Sequence, residues 1–304
     1  MKIGARILVS VFLAMSLIGC NLLTSNDKVC QDKGVPETLP AIDSDELQGR
    51  IIYVSYRDNT HGELYVIKAD GTNTLRLTHN DISEEYPSVS SDGKTVIFSL
   101  ASGGIYTLDL SRCLQQPADC DATLREVRST GQDPEFSPDG TRIVFIDDDV
   151  MLMNADGSEE QRMGMLPTTP SRVQSPTWGP NGQQIAAVAL QQVVNLYLAL
   201  LGGAGRLSSM VWLARDGYDP AIAPDNTQVA IRDARGCLCL VPSDGNCPPQ
   251  RLTAFTASQP TWSPDGHWIA FSHAGEIGVI DPQGSRLLYL ANDGQDNRMP
   301  SWFR

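Results

Sequence analysis

The chain has 304 residues, of which 41% are hydrophobic and 19% charged, and its formal net charge is -13. Binding to a phosphate backbone needs clustered Lys and Arg, so this acidity excludes nucleic acid as a partner. It equally excludes lying flat on an anionic membrane surface, and it favours solubility and basic partners.

The N-terminus carries the first signal. Lys2 and Arg6 precede an apolar run over residues 7–17, which is too short to span a bilayer and has the length of a signal-peptide core. The run ends in Leu17-Ile18-Gly19-Cys20, which resembles the bacterial lipobox and implies that Cys20 is lipidated and becomes the new N-terminus. Residues 1–19 are therefore read as a signal peptide, and its removal takes away two positive charges, leaving -15. No other stretch reaches the roughly 18 apolar residues of a transmembrane helix. The protein is expected to be exported and held by its acyl chains alone, on the outer side of the cytoplasmic membrane or in the outer membrane. Residues 20–49 are polar, contain Pro and lack periodicity, which reads as a linker behind the anchor.

From residue 50 to 304 an internal repeat sets the architecture. Pro-x-apolar recurs at Pro87, Pro134, Pro176, Pro220, Pro260 and Pro300, at intervals of 47, 42, 44, 40 and 40 residues. Five of these are followed by a turn signal, such as Ser91-Asp92-Gly93, Pro138-Asp139-Gly140 or Pro264-Asp265-Gly266. Asp-Gly and Asn-Gly supply the positive φ of a tight hairpin. After each turn comes a short apolar, β-branched strand such as Thr95-Val96-Ile97-Phe98 or Arg142-Ile143-Val144-Phe145, then a third such as Ile105-Tyr106-Thr107-Leu108. The fourth strand is weakly patterned, clearest near Leu75 and Arg251, and helix should be nearly absent. This period is that of a four-stranded propeller blade.

The ends complete the count. Residues 50–55 read as a second strand with no first strand before it, and residues 300–304 as a first strand with nothing after it. Pairing the two gives an all-β, six-bladed β-propeller whose first blade is closed by the N- and C-terminal strands, leaving no open sheet edge in the ring. Pro260-Thr261-Trp262-Ser263-Pro264-Asp265-Gly266, nearly matched from Pro134 to Gly140, resembles the WD-like repeat of the TolB propeller family. The resemblance covers the chain from about residue 50 onward and implies the fold. It departs from that family in having no counterpart to its N-terminal α/β domain and in the predicted lipid anchor.

Apart from Cys20, six cysteines remain, an even number in an exported chain, which reads as disulfides. Cys113 and Cys120 bracket an insertion in the longest repeat and are expected to clasp it. Cys239 is expected to pair with Cys247 across the equivalent hairpin of blade five, leaving Cys237 for Cys30. No cysteine or histidine spacing matches a zinc site, and no cofactor is expected.

The loops between second and third strands and the connections between blades share one face. His61, His79 and His273 fall there and are weak candidates for a metal site. A lyase branch of TolB-like propellers that acts on pectic oligosaccharides uses a histidine-bound metal, and its resemblance implies the alternative reading, a metal-dependent, lyase-like, carbohydrate-active enzyme. Asp147, Asp148 and Asp149, with Asp58 and Asp233, are candidates for an anionic partner-binding face, although they lack a calcium-loop spacing. Phe136, Trp178, Trp262 and Trp302 keep a fixed register, which points to packing between blades and not to a sugar platform. No Gly-x-Ser-x-Gly nucleophile elbow occurs. The favoured reading is a noncatalytic, monomeric cell-envelope lipoprotein that presents a rigid ring surface to an envelope protein or peptide.

Overall fold

The β-branched runs of the repeat form the second strand of each of six four-stranded antiparallel sheets. A computed structural model describes residues 42–43, 46–58, 60–164, 172–190, 194–202, 205–245, 249–291 and 294–304. The expectations for the signal peptide, Cys20, Cys30 and Cys247 lie outside these residues.

Blade 1 contains β1 (Arg50–Ser55), β2 (Glu63–Lys68) and β3 (Leu75–Arg76), and its innermost strand is β24 (Asn297–Phe303). Blade 2 is β4 (Glu84–Val89), β5 (Thr95–Leu100), β6 (Ile105–Asp109) and β7 (Arg125–Arg128). Blade 3 is β8 (Gln132–Phe136), β9 (Arg142–Asp147), β10 (Asp149–Asn154) and β11 (Gln161–Arg162). Blade 4 is β12 (Arg172–Trp178), β13 (Gln184–Leu190), β14 (Val194–Leu201) and β15 (Leu207–Arg215). Blade 5 is β16 (Gly217–Ile222), β17 (Gln228–Asp233), β18 (Cys237–Pro242) and β19 (Gln250–Thr256). Blade 6 is β20 (Ser258–Trp262), β21 (Ile269–His273), β22 (Glu276–Ile280) and β23 (Leu287–Ala291). The inner strands β4, β8, β12, β16, β20 and β24 touch in a closed cycle around the axis.

The ring closes as the sequence predicts. β24 pairs antiparallel with β1, setting Phe303 opposite Arg50 and Trp302 opposite Ile51. Packing begins before residue 50, however. Ile42 and Leu47 are buried against Trp268, Trp302 and Leu290, the Trp302 indole N–H donates to the Gln48 carbonyl at 2.8 Å, and Arg286 pairs with Glu46 at 2.9 Å. The last residues of the expected linker thus belong to the body and seal the seam between blades 6 and 1.

The core lies between blades. In β5, Val96 and Phe98 face the cluster shared with blade 1, while Ile97 faces the one shared with blade 3, so a strand buried on both faces needs no polar alternation. The first hairpins have a side-chain lock. Ser137 Oγ–H donates to Asp139 Oδ1 at 2.6 Å and accepts from the Arg142 amide at 2.9 Å, and Gly140 adopts φ 71°. Ser90 and Ser263 repeat this arrangement in blades 2 and 6. The Ser137 and Thr141 hydroxyls hold the Asp139 carboxyl below the usual carboxylate range.

The insertion of blade 2 forms the short helix α1 (Leu110–Gln115), capped by the Asp109 carboxylate, and then a 3-10 turn, Pro117–Thr123. A disulfide joins Cys113 to Cys120, with Cα atoms 4.6 Å apart, and both are buried with Leu110 against blades 1 and 2. On the chain-entropy model a bridge over so short a loop contributes about 2 to 3 kcal/mol.

The expected pairing of Cys239 with Cys247 needs correction. Cys239 is a free, buried thiol, and Cys237 is the disulfide-bonded residue. The pairing of β18 with β19 shifts register between Cys237 and Cys239. Cys239 Sγ packs into the core between blades 4 and 5, 3.8 Å from Asp233 Oδ2, and burial pushes its thiol up to about 12. Alkylation of the native protein should leave Cys239 unmodified, whereas alkylation in denaturant should label it. A native protein labelled at Cys239 would contradict this placement.

Candidate functional site

Each inner strand carries a bulge at its Pro-x-apolar element. The residue before each proline has positive φ: Tyr86 at 51°, Asp133 at 53°, Ser175 at 51°, Asp219 at 50°, Gln259 at 53° and Met299 at 55°. The register with the second strand shifts at the same place in all six blades. None of these residues is Gly, and each left-handed residue costs about 1 kcal/mol or more. The bulge turns the six side chains over the mouth of the channel, and hydrogen bonds between blades offset the strain.

Those bonds run around the ring. The Gln259 amide donates to Asp219 Oδ2 at 3.4 Å, the Met299 amide to Gln259 Oε1 at 3.1 Å, and the Tyr86 amide to Met299 Sδ at 3.3 Å. The Ser175 amide donates to the Asp133 carboxylate in the same way. In blades 1, 3, 5 and 6 this side chain therefore holds the next blade's bulge, while the Asp133 amide donates instead to Ser99 Oγ at 3.4 Å.

The channel cavity has a volume of about 160 Å³ and is lined by these residues, their prolines and the residues that follow. This is below the roughly 300–1,000 Å³ of ordinary small-molecule pockets, so the bore itself admits a single side chain. It opens beside Gln174, Arg232, Thr256 and His273 into a depression of about 560 Å³ between blades 5 and 6, large enough for a peptide segment.

Three carboxylates share this space. Asp219 is paired with Arg232 at 2.9 Å. Asp133 and Glu135 line the bore, and burial pushes their pKa values up to about 7 and about 8. The neighbouring Asp219 charge raises Asp133 further, while Thr177 and the Trp178 amide oppose the rise at Glu135. The bore is consequently less negative at neutral pH than its count of acids implies. Sequence reasoning did not single out Asp219 or Glu135; the available signal was an Asp before the repeat proline in blades 3 and 5.

The predicted site residues are placed differently from expectation. His79 is drawn outward, its amide donating to Asp121 of the insertion at 3.0 Å. His273 packs against Phe255 and Tyr289, at 4.6 and 6.0 Å between centroids, with Nδ1 against the Thr256 carbonyl. His61 lies in the loop between β1 and β2. Among the described residues no group of three His, Cys, Asp or Glu is placed to hold a metal ion, so these histidines do not form the candidate metal set.

The acidic candidates form an ion-paired rim instead of an open anionic face. Asp58 pairs with Arg76 at 3.3 Å and also accepts from the Tyr65 hydroxyl. Asp147 pairs with Arg128 at 2.7 Å. Asp149 is buried and accepts from Arg162 Nε at 2.6 Å. Asp233 is buried too, accepts from the Arg235 and Cys237 amides, and lies 3.6 Å from Arg251. Asp148 is the exposed hairpin tip, with φ 61°. The recurrent aromatics pack between blades as expected: Phe136, Trp178, Trp262 and Trp302 are buried, and the Trp262 indole donates to the Ala221 carbonyl at 3.0 Å.

No protein-family model matches the chain. Over 160 residues it is 30% identical to the uncharacterized peptidase YuxL of Bacillus subtilis (strain 168), a match covering 48% of this chain and 22% of that protein. The chain thus spans about a fifth of that relative's length. Among solved structures it is similar to TolB from Acinetobacter baumannii, with TM-score 0.67 and 18% identity over 84% of this chain and 66% of the other. The putative TolB from Agrobacterium tumefaciens gives TM-score 0.61 and 17% identity over 85% and 99%. A chain of the nidogen/laminin complex gives 0.66 and 10% over 83% and 97%.

Proposed function

We propose that this chain, which has the six-bladed TolB-like propeller fold, is a noncatalytic binding module of the cell envelope. It takes a protein or peptide partner at the channel mouth and is anchored by lipid on Cys20. The observation that carries the reading is the mouth itself: six strained side chains held over the axis, above a bore that admits one side chain. Such a rigid surface suits docking, because little ordering remains to be done on binding. The similarity to a chain of a nidogen/laminin complex is in keeping with a ring surface that meets another protein.

Two measurements test the parts separately. Cys20→Ser is expected to move the protein out of the membrane fraction, and a serine variant that stays with membranes overturns the anchor. For the mouth, Tyr86→Ala combined with Asp219→Ala is expected to abolish copurification of a partner from solubilised envelope without changing the fold. Unchanged copurification removes the mouth from the interface.

A further inference from the structure

Charge is unevenly distributed along this chain. Residues 161–215, which include the whole of blade 4, contain no Asp or Glu and four Arg (Arg162, Arg172, Arg206 and Arg215), in a protein with 36 acidic residues. Blade 4 is also built differently at its periphery. Its outer strand β15 has nine residues, against two in β3, four in β7, two in β11, seven in β19 and five in β23. Nothing charged occurs from Leu207 to Ala214. Leu207, Met210, Val211 and Trp212 are half-buried, and the strand pairs with β14 on one side only. Among the described residues no strand occupies its outer edge. The edge is long and carries neither Lys nor Pro, and its protection is limited to two register shifts in the pairing with β14, between Leu196 and Tyr197 and between Leu200 and Leu201. The exposed Arg206 and Arg215 stand at its two ends.

We propose that β15 is a docking strand for an extended, acidic peptide segment of a partner protein, which adds to blade 4 as a fifth strand. Main-chain hydrogen bonds along the open edge would supply register-independent affinity, as in other cases of strand addition. Carboxylates toward the ends of the segment would meet Arg206 and Arg215, and uncharged β-prone residues would lie over Leu207, Met210 and Val211. Charge makes this the favoured occupant. A second copy would serve less well: antiparallel pairing of two β15 strands about Val211 sets Arg206 of one copy against Asp216 of the other, a residue already 3.7 Å from its own Arg215, and leaves Arg215 opposite the uncharged Leu207. Insertion into a bilayer is opposed because an open sheet edge leaves polar groups unpaired in hydrocarbon.

A display library of random peptides, panned on the purified protein and in parallel on the Arg206→Glu/Arg215→Glu variant, tests the assignment. Both substitutions are at exposed positions, and unchanged melting confirms that the variant folds. The expected result is acid-enriched, β-prone peptides that slow hydrogen exchange in β15 and bind the variant about tenfold more weakly or worse. Peptides without acid enrichment, protection confined to the channel mouth, or equal binding to the variant would each overturn it. So would self-association through β15, or arginine-dependent binding to phosphatidylserine vesicles. Because the mouth is a separate surface, loss of this proposal leaves the mouth reading standing.

Discussion

Deleting residues 300–304 is expected to abolish the cooperative unfolding transition of the propeller. The deletion removes most of β24, exposes the inner edge of β1 and empties the sites of Trp302 and Phe303, each 7% exposed. Truncating one buried aromatic costs about 3–5 kcal/mol, and a domain's whole stability is about 5–15 kcal/mol. The loss also frees Ile42 and Leu47, which pack on Trp302, so the N-terminal seal goes with it. The milder Trp302→Ala should fold but melt well below the wild type, which keeps the result interpretable if the deletion does not express. A deletion variant that melts at the wild-type temperature would show that the terminal strand does not close the ring.

A second large effect is set by pH at Glu84, between blades 1 and 2. This carboxyl is 1% exposed, accepts from the Thr78 hydroxyl at 3.0 Å and the Asn80 amide at 2.8 Å, and has Glu63 and Asp121 nearby, with Arg76 paired to Glu63. Burial first, and then the Glu63 and Asp121 charges, push its pKa from an ordinary 4.5 up to about 8. A raised carboxyl pKa means that the folded state binds the proton more tightly than the unfolded state. Its contribution is therefore intact below about 4.5 and is lost progressively as pH climbs toward 8. Glu84→Gln keeps the shape, cannot ionise, and should stabilise the protein above pH 8 by about 2 to 5 kcal/mol while changing little near pH 4. Urea melts across that range decide it, and equal stabilisation at both ends would refute the titration.

The ring was legible because its rules are local. A proline, an apolar residue and an Asp-Gly turn recur at blade spacing, and each acts through the conformation of its own few residues. The bulges were not legible, since Tyr86, Gln259 and Met299 have no intrinsic preference for positive φ; bonds from neighbouring blades hold them there. The acidic rim was misread for a related reason. Asp149 finds Arg162 thirteen residues away across a hairpin, and nothing at Asp149 itself signals the pair. Cys237 and Cys239 share one side of a strand by spacing, and nothing in that spacing signals that Cys237 is the bonded residue and Cys239 the free one. The length of β15 escaped notice because an outer strand pairs on one side only and has no outer neighbour to impose a pattern on it.

The account's central claim is that a partner docks at the channel mouth, and site-specific photo-cross-linking in intact cells tests it most directly. A photoreactive residue replaces Tyr86 at the mouth in one strain and Asp139, in a hairpin on the opposite face, in another. The account predicts a discrete adduct with an envelope protein from position 86 and none from position 139. Adducts from position 139 with none from position 86 would contradict it.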